Sequence, residues 1–493
     1  MKLPTLKSPL LEERYNSTFH SIVEDDIISF VEHITLLKSE ILKLWDNQNI
    51  PPYIGKSESE IIKSFQKLKS YDVSKFWFED KNYPTFLGFI KNFVKLGSEV
   101  NQFFPYMLKT KINGRSMYDW FSDDELETEF NRIMVRAFKM DGMYLFTKYL
   151  KLDRDVELDH VKTFENFRSK FSSRKVGYYF EKCLTPLDKN ESEDVYLSQS
   201  DIDYLSSNKL IKDYDFRNVF EVTENEKVYG YRVRIYDRHE KIFPNLIQVF
   251  RLGLGQPPVN FPPLTARFIY EKFLGDLKQD HFTVYDPCSG WGGRLLGSLS
   301  SQLNIHYVGT DVNSNNFGCY EALGDFYHKY CGGKMGRVEN TYHMFRCGSE
   351  SIHKMDEFKQ YKGKLDLCFT SPPYFNKEIY SQDVEQAINS YPQYKLWKNK
   401  FLKQTMSTCY EYLKPNRNLL LNISDIKLNN RVVPLEQDTI SIAIDLGFKY
   451  VGKIGMVMTR MIGLQPKNLK NSWFDETTMT DYKVEPILIF EKN

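Results

Sequence analysis

Phe282-Thr283-Val284-Tyr285-Asp286-Pro287-Cys288-Ser289-Gly290-Trp291-Gly292-Gly293-Arg294 is the stretch on which the fold of this 493-residue chain turns. Its first four residues are β-branched or aromatic and suit a short buried strand. Asp-Pro interrupts the run, and the apolar stretch from Leu295 to about Leu303 reads as a helix. Strand, glycine-rich turn and helix form the first unit of a doubly wound sheet, in which ligands settle at the carboxyl ends of the strands. Gly290 and Gly292 let backbone approach a ligand closely, and the new helix offers its free N–H groups there. A second strand, Ile305-His306-Tyr307-Val308-Gly309-Thr310, ends at Asp311. An acidic residue at that tip is placed to bind a ribose hydroxyl pair. A nicotinamide-dinucleotide enzyme shares this layout, but the Gly-x-Gly-x-x-Gly fingerprint is absent.

Further on, the apolar run Leu365-Asp366-Leu367-Cys368-Phe369 closes in Ser371-Pro372-Pro373-Tyr374. Consecutive prolines have no N–H and fix their own φ, so the carbonyls of Ser371 and Pro372 are held in a preset orientation. The Ser371 side-chain oxygen and the Pro372 carbonyl can accept hydrogen bonds from a planar amino group, while the Tyr374 ring offers a stacking face. That geometry suits a flat conjugated amine such as the exocyclic amine of cytosine or adenine. Alone, the tetrapeptide is an ordinary turn. The glycine-rich loop upstream changes that reading.

The pair of motifs, in this order, resembles the S-adenosylmethionine-dependent amino-methyltransferases of DNA, which act on cytosine N4 or adenine N6. Their signatures are Asp-Pro-x-x-Gly-x-Gly for the cofactor and (Asp/Asn/Ser)-Pro-Pro-(Tyr/Phe/Trp) for the target amine. Asp286 and Ser371 lie 85 positions apart, enough for the intervening strands and helices. The resemblance covers roughly Asn260 to Asn493 and implies a Rossmann-like seven-stranded sheet closed by an antiparallel hairpin. It also implies S-adenosyl-L-methionine as cofactor, no metal, and a DNA base flipped out of the duplex. Asp286, Pro287, Ser289, Gly290, Gly292 and Asp311 match its cofactor positions, and Ser371, Pro372, Pro373 and Tyr374 its catalytic turn. The segment Asn260 to Tyr270 looks like the family's helix ahead of the first strand, making Phe261 and Thr265 cofactor candidates; an ordinary proline-started helix is the alternative. Ser349, after the third strand, sits where the family contacts adenine, or in a mere turn. Trp291 and Arg294 depart from the commoner loop: Arg294 either meets the cofactor carboxylate or caps a surface.

Composition sets the remaining bounds. With 66 Lys+Arg against 65 Asp+Glu the net charge is +1, so no global basic field advertises nucleic acid and phosphate contacts must be local. Seven cysteines without zinc spacing read as reduced, mostly buried thiols. No signal peptide or long apolar segment is evident, so the expectation is a cytoplasmic protein of a bacterial or phage-infected cell, with no membrane association.

The chain divides into a helical N-terminal domain (1–160), a mixed α/β segment (161–250) and a catalytic domain (251–493). Ile27, Phe30, Val31, Ile34, Leu37, Ile41 and Leu44 recur at helix spacing. Ser57-Glu58-Ser59-Glu60 is a capping box before Ile61, Phe65 and Leu68, and Ser122 to Glu125 gives another. Arg168, Lys170, Arg174 and Lys175, interleaved with aromatics, are candidate nucleic-acid contacts, or else a solvated helix face. Residues 220–250 read as β-rich, with Asn225-Glu226 as a turn. Target recognition is expected in residues 1–250 and in the 376–400 and 460–484 loops, where Trp473 lies near the expected substrate face. A restriction endonuclease is a candidate partner. The rival readings are the same chemistry on RNA or on a protein glutamine amide, and a catalytically silent binding module.

Overall fold

The computed structural model describes residues 35–47 in part, 56–128 apart from 93, 95 and 113, then 130, 259–331, 339–376, 378–380, 386–428, 431–458, 471–475 and 480–493, together with the backbone of five strands between 144 and 235. Arg168, Lys170, Arg174 and Lys175 lie outside the described residues.

A ten-stranded sheet organises the molecule. We number its strands β1 (Trp77–Phe78), β2 (Gly88–Lys91), β3 (Phe282–Asp286), β4 (Ile305–Asp311), β5 (Thr341–Arg346), β6 (Leu365–Thr370), β7 (Leu413–Asn422), β8 (Phe448–Val457), β9 (Ser472–Asp475) and β10 (Thr480–Lys492). Their order is β1-β2-β8-β10-β7-β6-β3-β4-β5, with β9 paired to β10. From β5 to β7 neighbouring strands are parallel, whereas β10 runs antiparallel to both β7 and β8. The expected seven-stranded sheet with its antiparallel closure is therefore present, extended at one edge by two strands from the N-terminal region.

Side chains alternate between two cores because successive residues of a strand face opposite ways. On β3, Phe282 and Val284 join one core and Tyr285 the other; on β10, Ile487 and Ile489 oppose Leu488 and Phe490. The first core takes α1 (Glu58–Ser70), α2 (Pro263–Leu274), α3 (Gly293–Leu299) and α4 (Phe317–Cys331); the second takes α5 (Lys403–Tyr412) and α6 (Leu435–Asp445). Helices on both faces are what a parallel sheet of near-continuous apolar strands requires.

The capping box of α1 forms as expected, the Ser57 N–H donating to Glu60 Oε2 at 2.7 Å, and Ile61, Phe65 and Leu68 are buried. They are buried, however, against the catalytic sheet. Phe65 stacks near Tyr327 of α4 at 4.6 Å, and β2 pairs in parallel with β8. The boundary expected near residue 250 is thus not a boundary for the stretch from Ile61 to Met107, whose buried apolar residues share one core with the parallel sheet. Trp473 is likewise core: its ring packs on Phe78 at 4.8 Å and its N–H donates to Asp80 Oδ2 at 2.9 Å. A separate five-stranded sheet contains the antiparallel strands Val219–Glu224 and Lys227–Ile235, flanking the turn expected at Asn225-Glu226, and Tyr144–Lys151.

One close approach tests this packing. A Cβ on Gly293 would lie 2.1 Å from the Phe261 carbonyl, so α3 and the start of α2 touch through backbone. Gly293→Ala is expected to cost about 1–3 kcal/mol by overpacking. Chemical denaturation checks it, and an unchanged midpoint would contradict the contact.

Candidate active site

The sheet order reverses at β3, whose neighbours are β4 on one side and β6 on the other. In open α/β sheets the ligand crevice lies beyond the carboxyl ends of the strands at such a switch point. β3 and β6 are parallel, with Val284 opposite Leu367 and Tyr285 opposite Cys368, so the glycine-rich loop and the Ser-Pro-Pro-Tyr turn leave the same edge. The two meet directly: the Cys288 N–H donates to Thr370 Oγ1 at 3.1 Å, one residue before Ser371.

A buried polar network sets the shape of the loop from beneath. Asp286, 1% exposed, accepts from Arg294 Nε at 2.7 Å and from the Tyr307 hydroxyl at 2.6 Å. Arg294, 4% exposed, also donates to the Cys288 carbonyl and lies 5.5 Å from the centre of the Phe261 ring. It is therefore not a surface cap; the charge it neutralises is Asp286. Ser289 faces inward, its hydroxyl 3.1 Å from that of Tyr307, and the fully buried Thr265 donates to Asn92 Oδ1 at 3.3 Å. Ser289 thus belongs to the network under the loop, whereas Thr265 ties α2 to the residue that follows β2. Phe261, on the same network, packs edge-on against Phe369 of β6 at 5.3 Å.

Above this network the two loop glycines do different things. Gly290 has φ +58°, and a Cβ there would meet nothing nearer than the Cys288 carbonyl at 3.9 Å, which leaves its outer side open. The Gly290 N–H donates to Asp311 Oδ2 at 2.9 Å, and the Asn313 N–H donates to Oδ1 at 2.7 Å. Burial pushes the Asp311 carboxyl up to about 6, although these N–H groups and the Tyr320 hydroxyl, 2.9 Å away, favour its ionised form. Gly292, at φ +70°, is instead closed over: its missing Cβ would sit 2.8 Å from the Phe104 ring. Ser349 is buried at the loop's other flank, its hydroxyl 2.8 Å from that of Thr405 and 3.9 Å from Cys288 Sγ.

At the turn, Ser371, Pro373 and Tyr374 are half-buried and Pro372 is buried. The Tyr374 hydroxyl donates to the Asn422 carbonyl at the end of β7, 3.2 Å away, which fixes the ring. Phe375 follows at φ +53°, its N–H donating to the Pro373 carbonyl at 3.0 Å.

One wall of the site comes from a segment the motifs do not announce. Phe104 packs edge-on against Tyr320 at 5.2 Å, and Asn260 Nδ2 donates to both the Trp291 carbonyl at 2.6 Å and Asn101 Oδ1 at 3.1 Å. Lys111 and Ile112 pair antiparallel with Ile379 and Glu378, just beyond the turn, and Tyr380 meets the Trp291 ring at 5.3 Å. The only sequence signal was the aromatic density of Phe103-Phe104-Pro105-Tyr106.

A glycine-rich loop with a carboxylate at the next strand tip thus lies beside a rigid Ser-Pro-Pro-Tyr turn at the switch point of a doubly wound α/β sheet. Residues 365–493 match the model of the family described as DNA methylase, of the N6/N4 type. A type II methyltransferase of Methanocaldococcus jannaschii, M.MjaVI, is 35% identical over 86 residues, or 17% of this chain and 41% of that protein. The chain thus spans less than half the length of this curated relative. Among solved structures, a SAM-dependent methyltransferase of Methanosarcina mazei is 11% identical over 45% of this chain and 96% of its own, with a TM-score of 0.27. A putative DNA modification methylase of Thermus thermophilus, whose structure was solved in complex with S-adenosyl-L-methionine, is 18% identical over 29% of this chain and 52% of its own, at a TM-score of 0.20. Overlaps that low bear no functional weight. Among the described residues no helix is long and apolar enough to cross a membrane.

Proposed function

We propose that the protein transfers a methyl group from S-adenosyl-L-methionine to the exocyclic amine of cytosine (N4) or adenine (N6) in DNA. The observation that supports this reading is the Cys288 N–H to Thr370 Oγ1 bond, which joins the loop after β3 to the end of the adjacent parallel strand β6, one residue before the Ser-Pro-Pro-Tyr turn. The residues fit the cofactor: Gly290 leaves open space for it, and Asp311 Oδ1 retains acceptor capacity for a ribose hydroxyl. Phe261, Asp286, Pro287 and Gly292 shape the loop, Ser289 and Ser349 flank it, and Thr265 anchors α2, which packs beside it, to Asn92. The bound cofactor supplies an electrophilic methyl on its sulfonium.

The chain's own contribution is placement. The amine is a poor nucleophile because its lone pair is delocalised into the ring. Accepting both amine protons at the Ser371 oxygen and the Pro372 carbonyl favours a pyramidal nitrogen whose lone pair faces the methyl. Orientation of this kind supplies roughly 7–11 kcal/mol at best. Ser371 is neutral and is not cast as a strong base. A base in a duplex cannot reach the cleft, so it must be flipped, at a cost of a few kcal/mol; stacking on Tyr374 offsets part of that.

Incubation with tritiated S-adenosylmethionine and separate DNA, RNA and protein pools tests the substrate class. Label in DNA, with N4-methylcytosine or N6-methyladenine found by nucleoside mass spectrometry, is the expected result; label confined to RNA or protein would overturn it.

Asp311 gives the cofactor step a pH signature. The ionised carboxylate is the better acceptor for ribose, so affinity should rise with pH through about 6. Only about a tenth of the group is ionised one unit below its pKa, which predicts roughly tenfold weaker binding at pH 5 than at pH 7. The stability contribution has the opposite sign. A carboxyl whose pKa is raised on folding stabilises the fold below its usual 3.8 and loses that contribution as pH rises through about 6. Calorimetric titration with S-adenosylhomocysteine measures the affinity, and a flat profile would remove Asp311 from the ribose site.

A further inference from the structure

We propose that the indole N–H of Trp397 is the donor that reads the ring nitrogen beside the target amine, N3 of cytosine or N1 of adenine; the inference rests on the base-methylation reading above. Trp397 is completely buried, and its Nε1 has no hydrogen-bond partner. Buried donors without partners are rare and costly, and phenylalanine would fill much of the same space without that cost. Two further costs fall on its neighbours. Residues Trp397–Leu402 form a π-helix, a rare geometry frequent at functional sites. Phe375, a bulky side chain at φ +53°, lies with its ring centre 5.9 Å from that of Trp397. Tyr394 stacks on Trp397 from 6.0 Å and meets Phe375 at 5.4 Å. These features gather in the core beside the catalytic turn, immediately after Tyr374.

The chemistry of the turn says why a donor is needed. Ser371 and Pro372 take the two amine protons, and the next atom along the same edge of the base is an acceptor in either substrate. Pro372 and Pro373 have no N–H to offer it. An indole N–H is a donor only, so it suits the unprotonated ring nitrogen that stands next to the amine on that edge. Phe375, packed on Trp397, is the side chain that the entering base displaces.

The test compares the unaltered protein with Trp397→Phe on unmethylated DNA, with tritiated S-adenosylmethionine and with S-adenosylhomocysteine binding as the control for folding. Expected is a roughly tenfold fall in kcat/KM for DNA with cofactor affinity within twofold. On an oligonucleotide bearing the mapped target, replacement of the base by 3-deazacytosine or 1-deazaadenine should cost the unaltered protein a similar factor and Trp397→Phe almost nothing. A Trp397→Phe rate within twofold of the unaltered protein would overturn the role of the indole alone. Absence of DNA methylation by the unaltered protein would overturn the function itself. If Trp397→Phe fails to bind S-adenosylhomocysteine, the deaza substrates decide on the unaltered protein, and equal rates on natural and deaza targets overturn the proposal.

Discussion

Arg294→Met is expected to destabilise the protein by about 3–5 kcal/mol, the cost of leaving one partner of a buried ion pair without the other. Asp286 and Arg294 are 1% and 4% exposed and 2.7 Å apart, so water cannot take over when the guanidinium goes. The Tyr307 hydroxyl and the Cys288 N–H remain on the carboxylate, which places the loss toward the lower end of that range. The double variant Asp286→Asn/Arg294→Met removes both charges and should recover part of the loss, since contacting residues do not add independently. Denaturant titration of the four proteins closes this cycle. An additive double variant would mean that the pair does not act as a unit. Because Arg294 also holds the Cys288 carbonyl, and the Cys288 N–H reaches Thr370, the same substitution should weaken cofactor binding by loosening the join between the two loops.

Tyr374→Ala carries the largest expected effect on activity. Base-to-aromatic stacking is worth about 1–3 kcal/mol by alanine substitution, or roughly 5- to 150-fold. The ring is held by its hydroxyl on the Asn422 carbonyl, so it is pre-oriented and does not need to be ordered by substrate. Tyr374→Ala should therefore lower kcat/KM for DNA within that range and leave S-adenosylhomocysteine affinity unchanged. Tyr374→Phe keeps the stacking face and should lie close to the unaltered protein. Loss of cofactor binding in Tyr374→Ala would count against a role confined to the substrate.

The two motifs that frame the candidate site were legible along the chain because each is a contiguous stretch. Asp286 to Gly292 and Ser371 to Tyr374 are contiguous, and each contains residues whose backbone freedom or rigidity admits few alternatives. Gly290 at φ +58° with an open outer side and Asp311 at the tip of β4 are such cases. The reading was weaker where a side chain's direction mattered. Ser289 and Thr265 lie at the expected positions but turn inward, toward Tyr307 and Asn92. Sequence position fixes where a Cα lies on a motif; the partner a hydroxyl finds depends on residues far away in the chain.

The same limit explains the N-terminal half. An apolar stripe such as Ile61, Phe65 and Leu68 states that a helix face is buried, and the capping box states where the helix begins. Neither says against what it is buried. Only the tertiary structure shows that this stripe meets α4, that β2 extends the catalytic sheet beside β8, and that Phe104 closes over Gly292. The sequence by itself determined the α/β class, the order of the motifs and the chemistry they permit, because strand, turn and proline signals act over a few residues. Which distant segments complete the cleft was decided by packing, because burying apolar surface is non-directional and accepts any partner of complementary shape.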